Sequence, residues 1–251
     1  MERDTDIGGA RDRFPETRVS VVRATGSPDP DVRRRALDVL VASYWKPVYK
    51  YLRLCWKADN EEAKDLTQGF FASAIDREFL ARYDPTKAKF RTWLRTCLDG
   101  WVSNERKALR RLKRGGDVRH VPLDFETAEG ELAAHAVADL ADPDTLFRRE
   151  WIRSLFALAV EELRERCEAE GKQASFAMFR RYDLEGPDAT ERISYADLAR
   201  EHGLDVTTVT NRLHAVRKRF RAIVLDRLRE LCATDEEFRE EALDLLGSDV
   251  V

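Results

Sequence analysis

Apolar side chains return every three or four positions through most of the chain, and this spacing constrains the fold more than any other feature. Val32, Ala36, Leu40 and Val41 lead into Tyr44 and Trp45, and Val48, Tyr51, Leu52 and Cys55 follow. Later come Leu146, Phe147, Trp151, Leu155, Phe156, Leu158 and Ala159. A period near 3.6 gathers such residues on one face of an α-helix, whereas a half-buried strand would alternate. Only 12 glycines and 8 prolines punctuate the 251 residues. The expected fold class is therefore all-α: two small helical domains joined by an acidic linker, the C-terminal one containing a helix-turn-helix.

The boundaries follow from breaks in that period. Residues 1–14 are polar and Gly-containing, which predicts a loose start. A first domain over 15–116 opens its periodic part at Pro30, with Pro47 expected to start a second helix. "KADN" reads as a capping segment before Glu61 and Glu62, and "DPTKAKF", 84–90, as a polar loop, because Asp-Pro disfavours helix at Asp84. A further helix is expected from about Arg91 to Gly115-Gly116, with Trp93, Cys97 and Trp101 as a core stripe. Residues 117–145 carry many acids and Arg119 as their one Lys or Arg, so they read as a linker with at most short helical pieces. A second domain covers 146–232, and 233–251 is an acidic tail.

Several function classes are excluded at this level. The cysteines, Cys55, Cys97, Cys167 and Cys232, form no CxxC pair, and the four histidines make no HExxH or comparable spacing. No metal and no cofactor are expected. No Gly-rich phosphate loop or nucleophile elbow is present, so the chain is not expected to be an enzyme or to take a small-molecule substrate. No apolar run approaches the roughly 18 residues of a membrane span, so no membrane insertion and a cytoplasmic location are expected.

The charge balance, 44 basic against 47 acidic residues, conceals a strongly uneven distribution. "ISYADLAREHGLDVTTVTNRLHAVRKRF", 193–220, has the layout of a helix-turn-helix. Ser194 with Asp197 can form a capping box, Gly203 suits the turn, and Asp205 can cap a second helix. Val206, Val209, Leu213, Val216 and Phe220 are expected to form its buried stripe. Thr207, Thr208, Thr210, Asn211 and His214 lie off that stripe near the N-terminal half, where a recognition helix meets base edges. Arg212, Arg217, Lys218, Arg219 and Arg221 follow and suit phosphates. A second basic element, "NERKALRRLKRGG", begins at Asn104. It carries Arg106, Lys107, Arg110, Arg111, Lys113 and Arg114 against one acid, Glu105, more than helix-end complementation requires. Lys87, Lys89 and Arg91 are candidates for the rim of a single-strand pocket beside the aromatics Phe79, Tyr83, Phe90, Trp93 and Trp101.

"DLTQGFF", 65–71, is unusual in setting an acid and an amide on one ridge beside two phenylalanines. In a helix Leu66, Phe70 and Ala74 face a core, Asp65, Gln68 and Ala72 point elsewhere, and Gly69 leaves a shallow spot. Together with "YWKPVYKYLR", "EAKDLTQGFFASAI", "YDPTKAKFRTWL" and "SNERKALRRLKRGG", and with the helix-turn-helix, this stretch resembles bacterial RNA polymerase sigma factors of the extracytoplasmic-function group. The likeness runs from "ETRVSVV" to the acidic tail. It implies that the first domain docks on core RNA polymerase and melts the −10 promoter element. The second domain would read the −35 element, and the linker would thread through the polymerase. It also implies that Asp65, Gln68 and Phe71 contact polymerase. Lys87, Lys89, Arg91, Asn104, Arg106, Lys107, Arg110 and Arg111 would serve DNA on the −10 side, and Thr207, Thr208, Thr210, Asn211, Arg212, His214, Arg217 and Lys218 promoter DNA on the −35 side. An anti-sigma factor is a possible further partner in that group.

The chain departs from the group's pattern at Lys64, where Glu is usual, and at Gly100, where many members place Asn. It also departs at Thr210 and Ala215, often Lys or Arg. The alternative reading is a stand-alone helix-turn-helix regulator that binds duplex DNA without polymerase, favouring two half-sites about one helical turn apart.

Overall fold

The computed structural model describes residues 20–76, 79–111, 123–134, 142–185 and 193–247, and its regular elements are all helical. In chain order these are α1 (Val21–Ala24), α2 (Pro30–Leu54), α3 (Asn60–Asp76), α4 (Phe90–Arg111) and α5 (Phe125–Ala134). There follow α6 (Pro143–Ala169), α7 (Gln173–Phe179), α8 (Tyr195–His202), α9 (Val206–Leu231) and α10 (Asp235–Leu246). A short 3-10 turn (Phe79–Arg82) precedes α4, and a π-turn (Arg180–Leu184) extends α7. No helix among the described residues is long and apolar enough to cross a membrane. The expected loose segment 1–14 and the Gly115-Gly116 helix end lie outside the described residues.

The long helices form where the sequence supplies both a start signal and an uninterrupted stripe. Asp29 caps α2, its carboxylate accepting from the Asp31 and Val32 amides, with Pro30 in the first turn. Asp142 does the same for α6 ahead of Pro143. Pro47 does not open a new helix as expected. It lies inside the 25-residue α2 and is itself buried. A proline there removes one backbone donor, but both neighbouring turns are anchored by buried residues, Ser43 and Tyr44 before it and Val48 to Leu52 after it. Packing overrides the local preference.

One buried cluster runs through both halves of the chain. α2 contributes Leu40, Tyr44, Val48, Tyr49 and Leu52. α6 contributes Leu146, Phe147, Trp151, Leu155 and Ala159, and α9 contributes Val209, Leu213, Ile223, Val224 and Leu228. Tyr51 of α2 meets Phe147 of α6 edge to face, with ring centroids 5.6 Å apart. The seam also buries charge. Lys50, 3% exposed, donates to Glu131 of α5 at 2.6 Å and to Glu150 of α6 at 3.1 Å. Such a group tolerates burial because both acids are held against it.

Two expectations about the middle and end of the chain take a different form in the structure. Within 117–145, α5 is a docked helix: Phe125 packs on Trp45 and Tyr49, and Glu129 receives Tyr49 at 2.6 Å and Arg53 at 2.7 Å. The acidic composition of this segment hides a short apolar face, Phe125 and Ala128, and pairs its acids with cations of α2. Within 233–251, α10 is capped by Thr234 and buries Phe238 and Ala242.

Candidate nucleic-acid interface

The turn that joins α8 to α9, where the sequence predicts a helix-turn-helix, is assembled by caps. Ser194 accepts from the Asp197 amide at 3.2 Å, and the Asp197 carboxylate accepts from the Ser194 amide at 3.0 Å, a reciprocal capping box. Gly203 closes α8 in the left-handed region at φ 63°, a conformation costly for residues with a Cβ. Asp205 accepts from the Thr208 amide at 2.8 Å to start α9. Hydrogen bonds from Thr208 and from Ser194 hold the Asp205 and Asp197 carboxyls below their ordinary range.

Beyond that cap, α9 buries Val209, Leu213 and Val216 and half-buries Phe220. Val206 is 47% exposed rather than in the stripe, because it opens the first turn before the helix reaches its neighbours. Thr207, Thr210, Asn211, His214 and Lys218 are exposed along the same helix. Thr208 is half-buried, its hydroxyl committed to Asp205 at 2.6 Å. Arg212 is half-buried and lines an open cleft with Lys172, Ser175, Asn211 and Arg219 between α7 and α9. Arg217 faces the other way. It pairs with Asp183 at 2.8 Å, donates to Tyr195 at 2.9 Å and lies over the Tyr182 ring, so its guanidinium ties α9 to the preceding turn.

On α3 the predicted ridge divides. Leu66, Phe70 and Ala74 are buried, Asp65 is exposed and Gln68 is half-exposed. Phe71, expected at the partner-facing edge, is only 4% exposed and stacks edge to face on Phe70 at 5.4 Å. This is a correction: the helix turns Phe71 toward α2, so its ring is core. The shallow spot at Gly69 is likewise filled, since a Cβ there would stand 2.9 Å from the Trp101 ring. A side chain there would have to displace the half-exposed Trp101 ring.

The α4 stripe is also one step off expectation. Phe90, Leu94, Leu98 and Val102 are the buried residues, whereas Trp93, Cys97 and Trp101 are half-exposed. They line an open crevice of about 510 Å³ with Phe70, Phe79, Arg82, Gly100 and Asn104. Phe79, Tyr83, Phe90 and Trp93 form a contiguous ring cluster with centroids 5.1 to 5.8 Å apart. The aromatic positions were legible in the sequence. Which of them faced outward was not, because the 3.6-residue period leaves adjacent stripes only 100° apart.

Arg82 is the cation that lines this crevice among the described residues; the candidate cations Lys87, Lys89, Arg91 and Arg106 are engaged by the chain's own acids. Lys87 faces Asp84 at 3.5 Å. Lys89 meets Glu240 at 3.1 Å and Glu241 at 3.3 Å, and Arg91 meets Glu241 at 2.8 Å over the Trp151 ring. Burial pulls the Lys89 ammonium down, but Glu241 and Glu240 reverse this and leave its pKa raised. Arg106 pairs with Glu62 at 2.9 Å and donates to the Trp56 carbonyl. Asn104 and Lys107 are exposed. Arg110 and Arg111 fall in the last turn of α4, but their side chains lie outside the described residues, as do Lys113 and Arg114. Glu237, Glu240 and Glu241 of α10 have no place in the expected site, and sequence reading missed them because an acidic tail reads as solvated.

Residues 40–115, spanning α2, α3 and α4, match the family model described as Sigma-70 region 2. No curated protein and no solved structure matches the chain.

Proposed function

Taking the chain, on the match over 40–115, as a sigma-70 family RNA polymerase sigma factor, we propose that it is a small initiation subunit of the extracytoplasmic-function type. Factors of this family act in promoter recognition and polymerase binding and are not enzymes. In this reading core RNA polymerase is held through Asp65 and Gln68 on α3, the exposed part of the ridge. The −35 duplex is read by Thr207, Thr210, Asn211 and His214 on α9, with Arg212 and Lys218 on flanking phosphates. The −10 element is captured after melting by the aromatic crevice, where Trp93 and Trp101 offer stacking faces and Asn104 a polar edge. Stacking on such faces is worth about 1–3 kcal/mol per base, comparable to the few kcal/mol that unstacking costs.

The observation that carries this reading is the pairing, in one chain, of the region 2 match at 40–115 with a capped helix-turn-helix at 194–231 outside it. A regulator acting alone needs the second and has no use for the first. A mobility shift on promoter-bearing duplex, with and without core polymerase, tests the proposal. It predicts a polymerase-dependent shift, weakened about tenfold or more by Asp65→Ala with Gln68→Ala, whose exposed positions leave thermal melting unchanged; rim contacts of this kind act mainly on association. Tight binding to a palindromic duplex by the isolated chain, indifferent to polymerase, would favour the stand-alone regulator.

A further inference from the structure

The −10 side of this molecule is covered by its own C-terminal helix. The Glu237 carboxylate accepts from the Phe90 amide at 2.8 Å, at the start of α4. Glu240 and Glu241 pair with Lys89, and Glu241 also with Arg91. Glu241 is 3% exposed and its contacts are desolvated, whereas Glu240 is exposed and its pair with Lys89 is open to solvent; each acid is matched to a cation or to a backbone donor. A backbone amide, an ammonium and a guanidinium on one loop are the donor set that phosphates of a single strand would use. The same loop carries Tyr83 and Phe90 of the ring cluster beside the crevice.

The arrangement also bears on reach. On the function proposed above, the chain must engage two elements about 25 base pairs apart, or about 85 Å at 3.4 Å per pair. A compact chain of this length has a radius of gyration of about 18 Å, so it is about 45 Å across. The structure, with α2, α6 and α9 in one core, is too small to touch both. On the proposed function, the structure is therefore that of a closed state.

We propose that α10 is a cis-acting cover that presents carboxylates to the −10 loop in place of nucleic-acid phosphates and must leave before a melted strand can bind. The inference rests on the sigma-factor reading for the identity of the strand, but the cover itself rests on the contacts. Its anchorage is mixed: Phe238 and Ala242 are buried, Arg229 lies 4.2 Å from the Phe238 ring centroid, and Arg148 of α6 reaches Asp244 at 3.5 Å. This combination suits a segment that is held firmly yet is sensitive to competing polyanions, because ionic contacts weaken in salt whereas the apolar anchor does not.

Cys232, buried where α9 meets α10, reports opening. The test is performed on the full chain, following maleimide modification of Cys232 by peptide mapping together with anisotropy of a fluorescent mixed-sequence 12-nucleotide single strand. The proposal predicts that the 12-mer at saturation raises the Cys232 modification rate of the unaltered protein about tenfold, with Cys55 little changed. It also predicts that Glu240→Gln with Glu241→Gln raises the basal Cys232 rate and tightens 12-mer binding several-fold. A 12-mer that binds without changing Cys232 modification would overturn it, as would a folded Gln variant with unaltered affinity. If both predicted effects occur but neither form starts transcription with core polymerase, the cover stands and the sigma-factor reading fails.

Discussion

The two candidate DNA surfaces are built from similar residues and left in opposite states. On α9, Thr207, Thr210, Asn211, His214 and Lys218 stand exposed on a helix whose start is fixed by its own caps. Around the loop before α4, Lys89 and Arg91 are held by α10, and Arg106 by Glu62. The first surface is preorganised and open. The second is preorganised and occupied. Cations that look equivalent in the sequence therefore differ in what a ligand must displace, and charge counting alone overstates what the −10 side offers in the closed state.

The largest expected effect comes from the seam that holds the closed state together. Lys50→Ala removes the cation that Glu131 and Glu150 share, while Lys46 stays on Glu131 and Arg153 on Glu150, so the cost is about 3 kcal/mol, the low end for a broken buried pair. Denaturant unfolding measures it, and Lys50→Met, which fills the space but keeps no charge, is expected to be similarly damaging. Next, Thr207→Ala with Asn211→Ala and His214→Ala is expected to weaken promoter duplex binding by on the order of 100-fold at unchanged melting temperature, since base-edge contacts discriminate by about 1–3 kcal/mol each. An equal loss of duplex affinity from changes on the −10 loop would erase the contrast between the surfaces.

Salt dependence sharpens the comparison further. Lys218→Ala is expected to lower the slope of log affinity against log salt for duplex by about 0.9, the value of one phosphate contact. Lys89→Ala leaves that slope unchanged, because Lys89 is already neutralised within the chain. The smallest effect concerns pH. Asp197 and Asp205 have depressed folded pKa values, so the unfolded chain binds more protons between the two values. Their contribution is complete above the ordinary Asp range and is lost as pH falls through the folded pKa. Asp205→Asn is expected to flatten the acid limb of α9 protection in hydrogen exchange, and an unchanged limb would remove the cap from the account.

The elements that sequence alone made legible are those whose signals are local. The Ser194–Asp197 box, the Gly203 turn and the Asp205 cap each depend on residues within a few positions, and each is present. So is the inward set Leu66, Phe70 and Ala74. What escaped is non-local. Phe71 is core because α2 runs behind α3, and Gly69 sits under the ring of Trp101, 32 positions on. Pro47 stays helical because its neighbours are packed on both sides. The acids that occupy the loop before α4 lie 147 to 152 residues from their partners, and no periodicity pairs Arg91 with Glu241.

The most direct measurement is run-off transcription by core RNA polymerase, with and without this chain, on fragments of its own genome. Discrete transcripts that require the chain, and that disappear with Asp65→Ala and Gln68→Ala, are the predicted result. Failure to initiate on any native template, by a chain shown to be folded and present in excess over polymerase, would contradict it.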